Sequence, residues 1–232
     1  MAFRERLVRV EERIAAACRR TNRARSGVRL MAVSKTHPPS AICEAVAAGL
    51  TLFGENRVQE FDAKLTELPE GIEVHLIGHL QSNKAVKAAA IFSGIDTVDS
   101  LRLLERLNDA AKQAGRRLPV LLEIKLSDEE SKTGFLTGST DLEQALEQAA
   151  GMQHVEVRGL MTVAPLNDNP EKARNCFRSL RILRDELART YPGIDLRELS
   201  MGMSGDFEVA VEEGSTLVRI GTALFGARGI GG

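Results

Sequence analysis

Apolar and polar positions along this chain switch repeatedly between two periods. Eight short apolar runs, at 29–34, 51–53, 73–77, 95–98, 119–125, 156–162, 196–200 and 217–220, read as strands. Stretches of helical period lie between them. Residues 99–114 bring Leu101, Leu104, Leu107 and Ala111 to one face, and 171–189 do the same with Phe177, Leu180, Leu183 and Leu187. Strands alternating with helices pair in parallel through right-handed crossovers. Eight such units predict a single (β/α)8 TIM barrel, because an open sheet of five or six strands would leave two runs over. The opening stretch, 2–24, carries Phe3, Leu7, Val10, Ile14 and Ala17 at alternating four- and three-residue steps. That spacing also suits a coiled-coil seam, but it spans barely two heptads. It predicts an extra N-terminal helix packed outside the barrel.

Length agrees with one domain over 1–232, since a single α/β barrel fills about 200–250 residues. The formal charge of −1 offers no field for nucleic acid or an anionic membrane. Arginines crowd the first 25 residues, but Glu5, Glu11 and Glu12 interleave with them, as on a solvated helix face. Cys18, Cys43 and Cys176 are odd in number and lack CxxC spacing, which points to a reducing compartment. There is no N-terminal apolar leader and no run of about 18 apolar residues, so a cytoplasmic location is expected.

In a parallel barrel, chemistry gathers at the carboxyl ends of the strands. The residues just past the proposed strands are Lys35, Gly54-Glu55-Asn56, Gly78-His79, Ser100, Lys125, Thr162, Ser200–Ser204 and Gly221-Thr222. Lys35 is an amine delivered by an apolar strand to a loop that Pro38-Pro39 then turns into a helix. Partial desolvation there lowers an amine's pKa and frees it to attack a carbonyl. The last two strand ends are rich in glycine and hydroxyls and feed helix starts, a common phosphate site in barrels. Ser204, Gly221 and Thr222 are therefore phosphate candidates, with helix capping by Ser204 the plainer alternative. Barrel closure sets strand eight beside strand one, so a phosphorylated aldehyde could bridge the two features. Pyridoxal 5′-phosphate (PLP) fits this, with Arg219 projecting near its ring nitrogen and discouraging protonation there.

Several segments carry a resemblance. They are Val33-Ser-Lys35, Phe53-Gly-Glu-Asn-Arg-Val-Gln-Glu60, His75-Leu-Ile-Gly-His-Leu-Gln-Ser-Asn-Lys84, Lys132-Thr-Gly-Phe135, Gly159-Leu-Met-Thr162, Ser200–Asp206 and Val218–Gly226. Together they resemble the pyridoxal phosphate homeostasis protein family, which looks like an isolated alanine racemase N-terminal barrel. The resemblance implies PLP held as an internal aldimine on Lys35, with Asn56 near the ring face, Met161 lining the pocket, and Ser204, Gly221 and Thr222 on the phosphate. It also implies a role in vitamin B6 balance, and through it amino-acid and keto-acid levels, with no established turnover. Possible rim residues are His79 and Lys132; the 127–139 loop has no interpretation.

Racemase-type catalysis needs two opposed bases and an electron sink. The chain ends at Gly232 directly after the eighth unit, so a racemase's second domain is expected to be missing. Its one tyrosine, Tyr191, follows a helix away from the rim. A binder without catalytic residues is expected, monomeric, passing cofactor to PLP-dependent apo-enzymes. Alternatives are a PLP-dependent racemase-like enzyme, or a Schiff-base aldolase acting on a sugar phosphate with Lys125 as rival nucleophile. His75 and His79 lack a third metal ligand. His37 either touches the cofactor or serves helix entry before Pro38.

Overall fold

The computed structural model describes residues 2–126, 133–165 and 167–226. Eight parallel strands close a barrel: β1 (Arg29–Val33), β2 (Leu52–Glu55), β3 (Glu73–Leu76), β4 (Gly94–Val98), β5 (Leu118–Lys125), β7 (Val155–Met161), β8 (Glu198–Ser200) and β9 (Leu217–Ile220). Closure comes from two seams. β9 pairs with β1, with Ala32 opposite Ile220, and β4 pairs with β5 across a register shift. A further two-residue strand, β6 (Phe135–Leu136), runs beside the end of β5 and is too short to leave a periodic signal.

Helices α2 (Pro39–Ala47), α3 (Val58–Lys64), α4 (Ala85–Ile91), α5 (Leu101–Gln113), α6 (Thr140–Ala149), α7 (Arg174–Thr190) and α8 (Phe207–Glu212) surround the barrel, and α9 (Thr222–Phe225) is a single turn after β9. Strand residues alternate in direction. One set, including Leu30, Ala32, Phe53, Val120, Leu160, Val218 and Ile220, packs against the helices in the main core. The other set faces inward, where Met31, Leu52, Leu217 and Ile77 form a small apolar plug.

The opening helix, α1, spans Phe3–Arg20, shorter than the 2–24 expected, because Thr21 ends it and a 3-10 turn follows at Arg25–Gly27. Phe3, Leu7, Val10, Ile14, Ala17 and Cys18 are buried, so the four–three seam is used within the chain. The seam lies over α8 and α9. Arg13 meets Glu208 at 2.7 Å and stacks 4.5 Å above the Phe207 ring, Arg20 meets Glu212 at 2.6 Å, and Phe3 touches Phe225 at 5.3 Å between centroids. Arg6 donates to the carbonyl of Leu224. Each fully buried large apolar side chain contributes about 1.5–3 kcal/mol, so α1 is a structural wall behind the last two loops.

Cys18, Cys43 and Cys176 are not joined in disulfides. No helix among the described residues is long and apolar enough to cross a membrane.

Candidate functional site at the barrel mouth

The carboxyl end of β1 carries Lys35 in a turn, half-buried, next to buried Ser34. Thr36 has a φ of 66°, the left-handed region that a β-branched residue rarely adopts. Pairing of β1 with β9 brings this turn beside the β9 loop. A Cβ added to Gly221 would stand 3.5 Å from the Cβ of Val33, an ordinary contact, so packing leaves room there.

Ser204 does not cap α8; Asp206 occupies that position and its carboxylate accepts from Met203 N at 2.6 Å. Instead the Ser204 hydroxyl accepts from the amides of Gly221 and Ala223, at 3.2 and 3.3 Å. One hydroxyl therefore gathers two backbone donors from the start of α9. Thr222 opens that turn and is exposed. His37 stacks on Phe225 at 4.7 Å, tying the β1 loop to the far end of α9. That contact with α9 is neither of the two roles expected for His37 from the sequence.

Arg219 enters from the inward face of β9 and is buried. It donates to the Ser200 hydroxyl at 2.6 Å and to the Thr162 carbonyl at 2.9 Å. Burial pulls its pKa down, while Asp96, Glu123 and Asp206 oppose that shift; a guanidinium stays charged. Met161 is fully buried at the end of β7, opposite Glu123 on one side and Ser200 on the other. Asn56 lies just past β2, and the β3 loop approaches it so closely that any Cβ at Gly78 would collide with its backbone. The Asn56 side-chain oxygen is buried without a hydrogen-bond partner.

Two residues set on the rim by sequence lie elsewhere. Glu55 is the last residue of β2, fully buried, and its carboxylate meets Ser34 and Lys64 on α3. The short strand was read two residues too early at its end. Ser200 is likewise within β8, spent on Arg219. Lys125 ends β5, on the opposite wall from β1 in the strand order. His79 is half-exposed, its Nδ1 3.1 Å from Asp99. Lys132 falls outside the described residues, as does the 127–132 part of the 127–139 loop.

Two carboxylates at the mouth went unnoticed in the sequence, Glu123 and Asp99. Glu123 faces inward two residues before Lys125, so the strand's two-residue beat marks it. Burial, and next the charge of Asp99, push its carboxyl up to about 7, against the Thr133 hydroxyl at 3.3 Å, Arg219 and His79. Deeper in, His75 pairs with Asp96 at 2.8 Å, whose second oxygen lacks a partner. Among the described residues no group of three His, Cys, Asp or Glu could hold a metal ion.

These features define a closed α/β barrel with a lysine at the end of its first strand and a hydroxyl-gathered amide cluster after its last. The model of the alanine racemase N-terminal domain matches residues 8–229. A pyridoxal phosphate homeostasis protein of Aquifex aeolicus is 44% identical, with 97% of each chain covered. One from Escherichia coli K12 is 41% identical, over 96% of this chain and 95% of that one. The PipY protein of Synechococcus elongatus, solved without PLP, superposes with a TM-score of 0.83 at 45% identity, covering 93% of this chain and 99% of that one. The same protein solved with PLP bound gives 0.81, covering 94% and 100%. The chain belongs to the pyridoxal phosphate homeostasis protein family, within the alanine racemase N-terminal-domain barrels. An alanine racemase of Clostridium difficile, at 14% identity and a TM-score of 0.75, shares the fold.

Proposed function

We propose that this protein binds PLP covalently through Lys35 and holds it in reserve for the cell's vitamin B6 pool, without turnover of its own. The observation that carries the reading is the β1–β9 seam. It sets a half-buried lysine beside two amides already gathered on one hydroxyl. The residues fit the cofactor on other counts. The Asn56 oxygen lacks a protein partner at the mouth, and the backbone of Gly221 is approached only by ordinary contacts with Val33. The relative PipY has been solved with PLP bound.

PLP supplies an aldehyde for covalent attachment, a phosphate dianion and a pyridine ring that can act as an electron sink. The chain's residues divide those tasks. Lys35 provides the amine. Gly221, Thr222 and Ser204 present N–H and hydroxyl donors to the phosphate. Asn56 and Met161 would border the ring, and Arg219, a fixed cation, would face the ring nitrogen and disfavour a proton there. A ring left unprotonated is a weaker sink, which suits storage more than turnover. The relatives carry the same implication, being named homeostasis proteins and not enzymes. We place the protein in the cytoplasm as a monomer, with PLP-dependent apo-enzymes as recipients.

A second reading, slow proton chemistry on bound amino acids, is favoured by Glu123. A carboxyl pushed up to about 7 can take and return a proton near neutral pH. The sugar-phosphate aldolase reading loses ground, because Lys125 lies across the barrel from the β9 loop.

Borohydride reduction followed by peptide mass spectrometry tests the proposal. The cofactor mass is expected on the peptide holding Lys35, and Lys35→Ala is expected to be colourless with an unchanged melting temperature. Retention of the yellow colour in that variant, with the mass on Lys125, would overturn it.

A further inference from the structure

Both neighbours of Lys35 are held from outside the barrel by one linked cluster of three side chains, Glu55 and Lys64 on Ser34 and Glu60 on Thr36. Before it, the Ser34 hydroxyl donates to Glu55 Oε1 at 2.7 Å, and the Ser34 carbonyl accepts from Lys64 Nζ at 3.5 Å. After it, the N–H of Thr36 donates to Glu60 Oε1 at 2.5 Å. Lys64 joins the two sides, donating to Glu55 Oε1 at 3.1 Å and Glu60 Oε1 at 2.7 Å. Ser34 and Glu55 are fully buried, and the Lys64 side chain is 11% exposed.

Strand alternation separates this cluster from the mouth. Glu55 points to the outer face of β2, towards Glu60 and Lys64 on α3, whereas Lys35 continues the inward face of Met31 and Val33. A buried ion pair is a poor source of stability in itself. Here it has a positional consequence. Thr36 sits at a φ of 66°, a conformation that persists only where its surroundings over-determine it, and Glu60 supplies that constraint. Glu55 is raised above the usual carboxylate range by burial, and Ser34 and Lys64 hold it down.

We propose that Lys64, with Glu55 and Glu60, is a positioning residue for Lys35. The cluster sets where the Lys35 amine points, and hence how fast that amine attacks an aldehyde. In that step the nitrogen's electron pair forms the new bond to carbon, and the carbonyl oxygen leaves as water carrying both amine hydrogens. This inference rests on Lys35 being the attachment residue, yet it can be tested without the cofactor.

The probe is formaldehyde with cyanoborohydride on PLP-free protein. Methylation of Lys35 is read by peptide mass spectrometry as a ratio to Lys125 in the same sample. In Glu60→Ala and Lys64→Met the ratio is expected to fall about fivefold or more, since small misplacements of a reacting group are costly in rate. Glu60→Gln keeps an acceptor for the Thr36 N–H and is expected to stay within about twofold of wild type. The rate of yellow colour development with added PLP should follow the same order. Wild-type ratios in both Glu60→Ala and Lys64→Met would overturn the inference. Should Lys64→Met fail to fold, Glu60→Ala decides alone, because the Glu60 side chain is 25% exposed. A wild-type protein that never colours with PLP, while Lys35 methylation still depends on Glu60, would sink the proposed function and leave the positioning role standing.

Discussion

On the β1–β9 side of the mouth, polar groups are committed to fixed partners. Ser204 holds two amides, Arg219 holds Ser200 and the Thr162 carbonyl, and Glu60 holds Thr36. On the β4–β5 side, titratable groups face one another instead. Asp99 meets His79, and Glu123 lies close enough to Asp99 for that charge to raise it. The first side has donors of fixed direction, which suits gripping an anion and an aldehyde. The second holds Glu123, whose carboxyl changes charge near about pH 7. Gripping and titrating are thus separated across the width of one barrel, and Arg219, charged and buried between them, is the group that both sides feel.

Removing that shared charge is expected to have the largest effect. Arg219→Glu puts a carboxylate among Asp96, Glu123 and Asp206 and strands the Ser200 hydroxyl. Breaking a buried charge network in this way costs about 3–5 kcal/mol, read as a loss of unfolding free energy in urea. As a folded probe of the ring nitrogen, burial argues for Arg219→Gln, with a smaller loss. A Glu variant within about 1 kcal/mol of wild type would mean that water reaches the barrel centre and that the two sides are not coupled through Arg219.

Glu123→Gln comes next and isolates the titrating side. Its carboxyl is raised from 4.5 to about 7 in the folded protein. The folded state therefore keeps a proton that the unfolded chain gives up, and stability falls as pH rises from the unfolded value through about 7. The full shift corresponds to about 3 kcal/mol, and solvent screening at an open mouth reduces this to about 1–2 kcal/mol. Relative to wild type, Glu123→Gln should gain that amount at about pH 8 and nothing at about pH 4, measured by urea unfolding. An equal difference at both pH values would show that Glu123 does not titrate there, and the contrast between the sides would lose its basis.

The gripping side was far easier to read from sequence than the titrating side, for a physical reason. Lys35, Ser204, Gly221 and Thr222 all sit just past strand ends, and strand ends are visible as breaks in apolar period. Glu123 lies inside a strand, and its raised pKa comes from burial and then from Asp99, 24 positions earlier in the sequence. Such a pairing exists only once β4 and β5 have met. Glu55 shows the converse error. In a four-residue strand, one misplaced boundary moved a fully buried outward carboxylate onto the rim. The barrel itself was legible because eight apolar runs in a row leave few other topologies.

Ser204→Ala tests the gripping side at a smaller scale. It removes the acceptor shared by the Gly221 and Ala223 amides, at 3.2 and 3.3 Å, without opening a core cavity. One lost hydroxyl of this kind is worth about 1–1.5 kcal/mol, or about tenfold in affinity for inorganic phosphate or PLP, read by titration calorimetry. Unfolding should change by less, because water can reach the two amides once the cofactor is absent. If phosphate affinity is unchanged, the α9 turn is held by its packing on α1 and His37, and the hydroxyl is incidental.

The smallest effect belongs to His79→Ala. Its side chain is 52% exposed and its pairing with Asp99 at 3.1 Å is open to solvent, so the pair itself contributes under about 0.5 kcal/mol. Its consequence lies with Glu123, whose carboxyl the imidazole charge helps to hold down. Without that charge the Glu123 midpoint should move further above about 7, and the shift should vanish in about 0.5 M salt as the Debye length shrinks. The pH dependence of urea unfolding, compared with Glu123→Gln, reads this directly. A loss above about 1 kcal/mol that ignores salt would mean that His79 is a packed wall of the mouth, and the titrating side would then be as fixed as the gripping one.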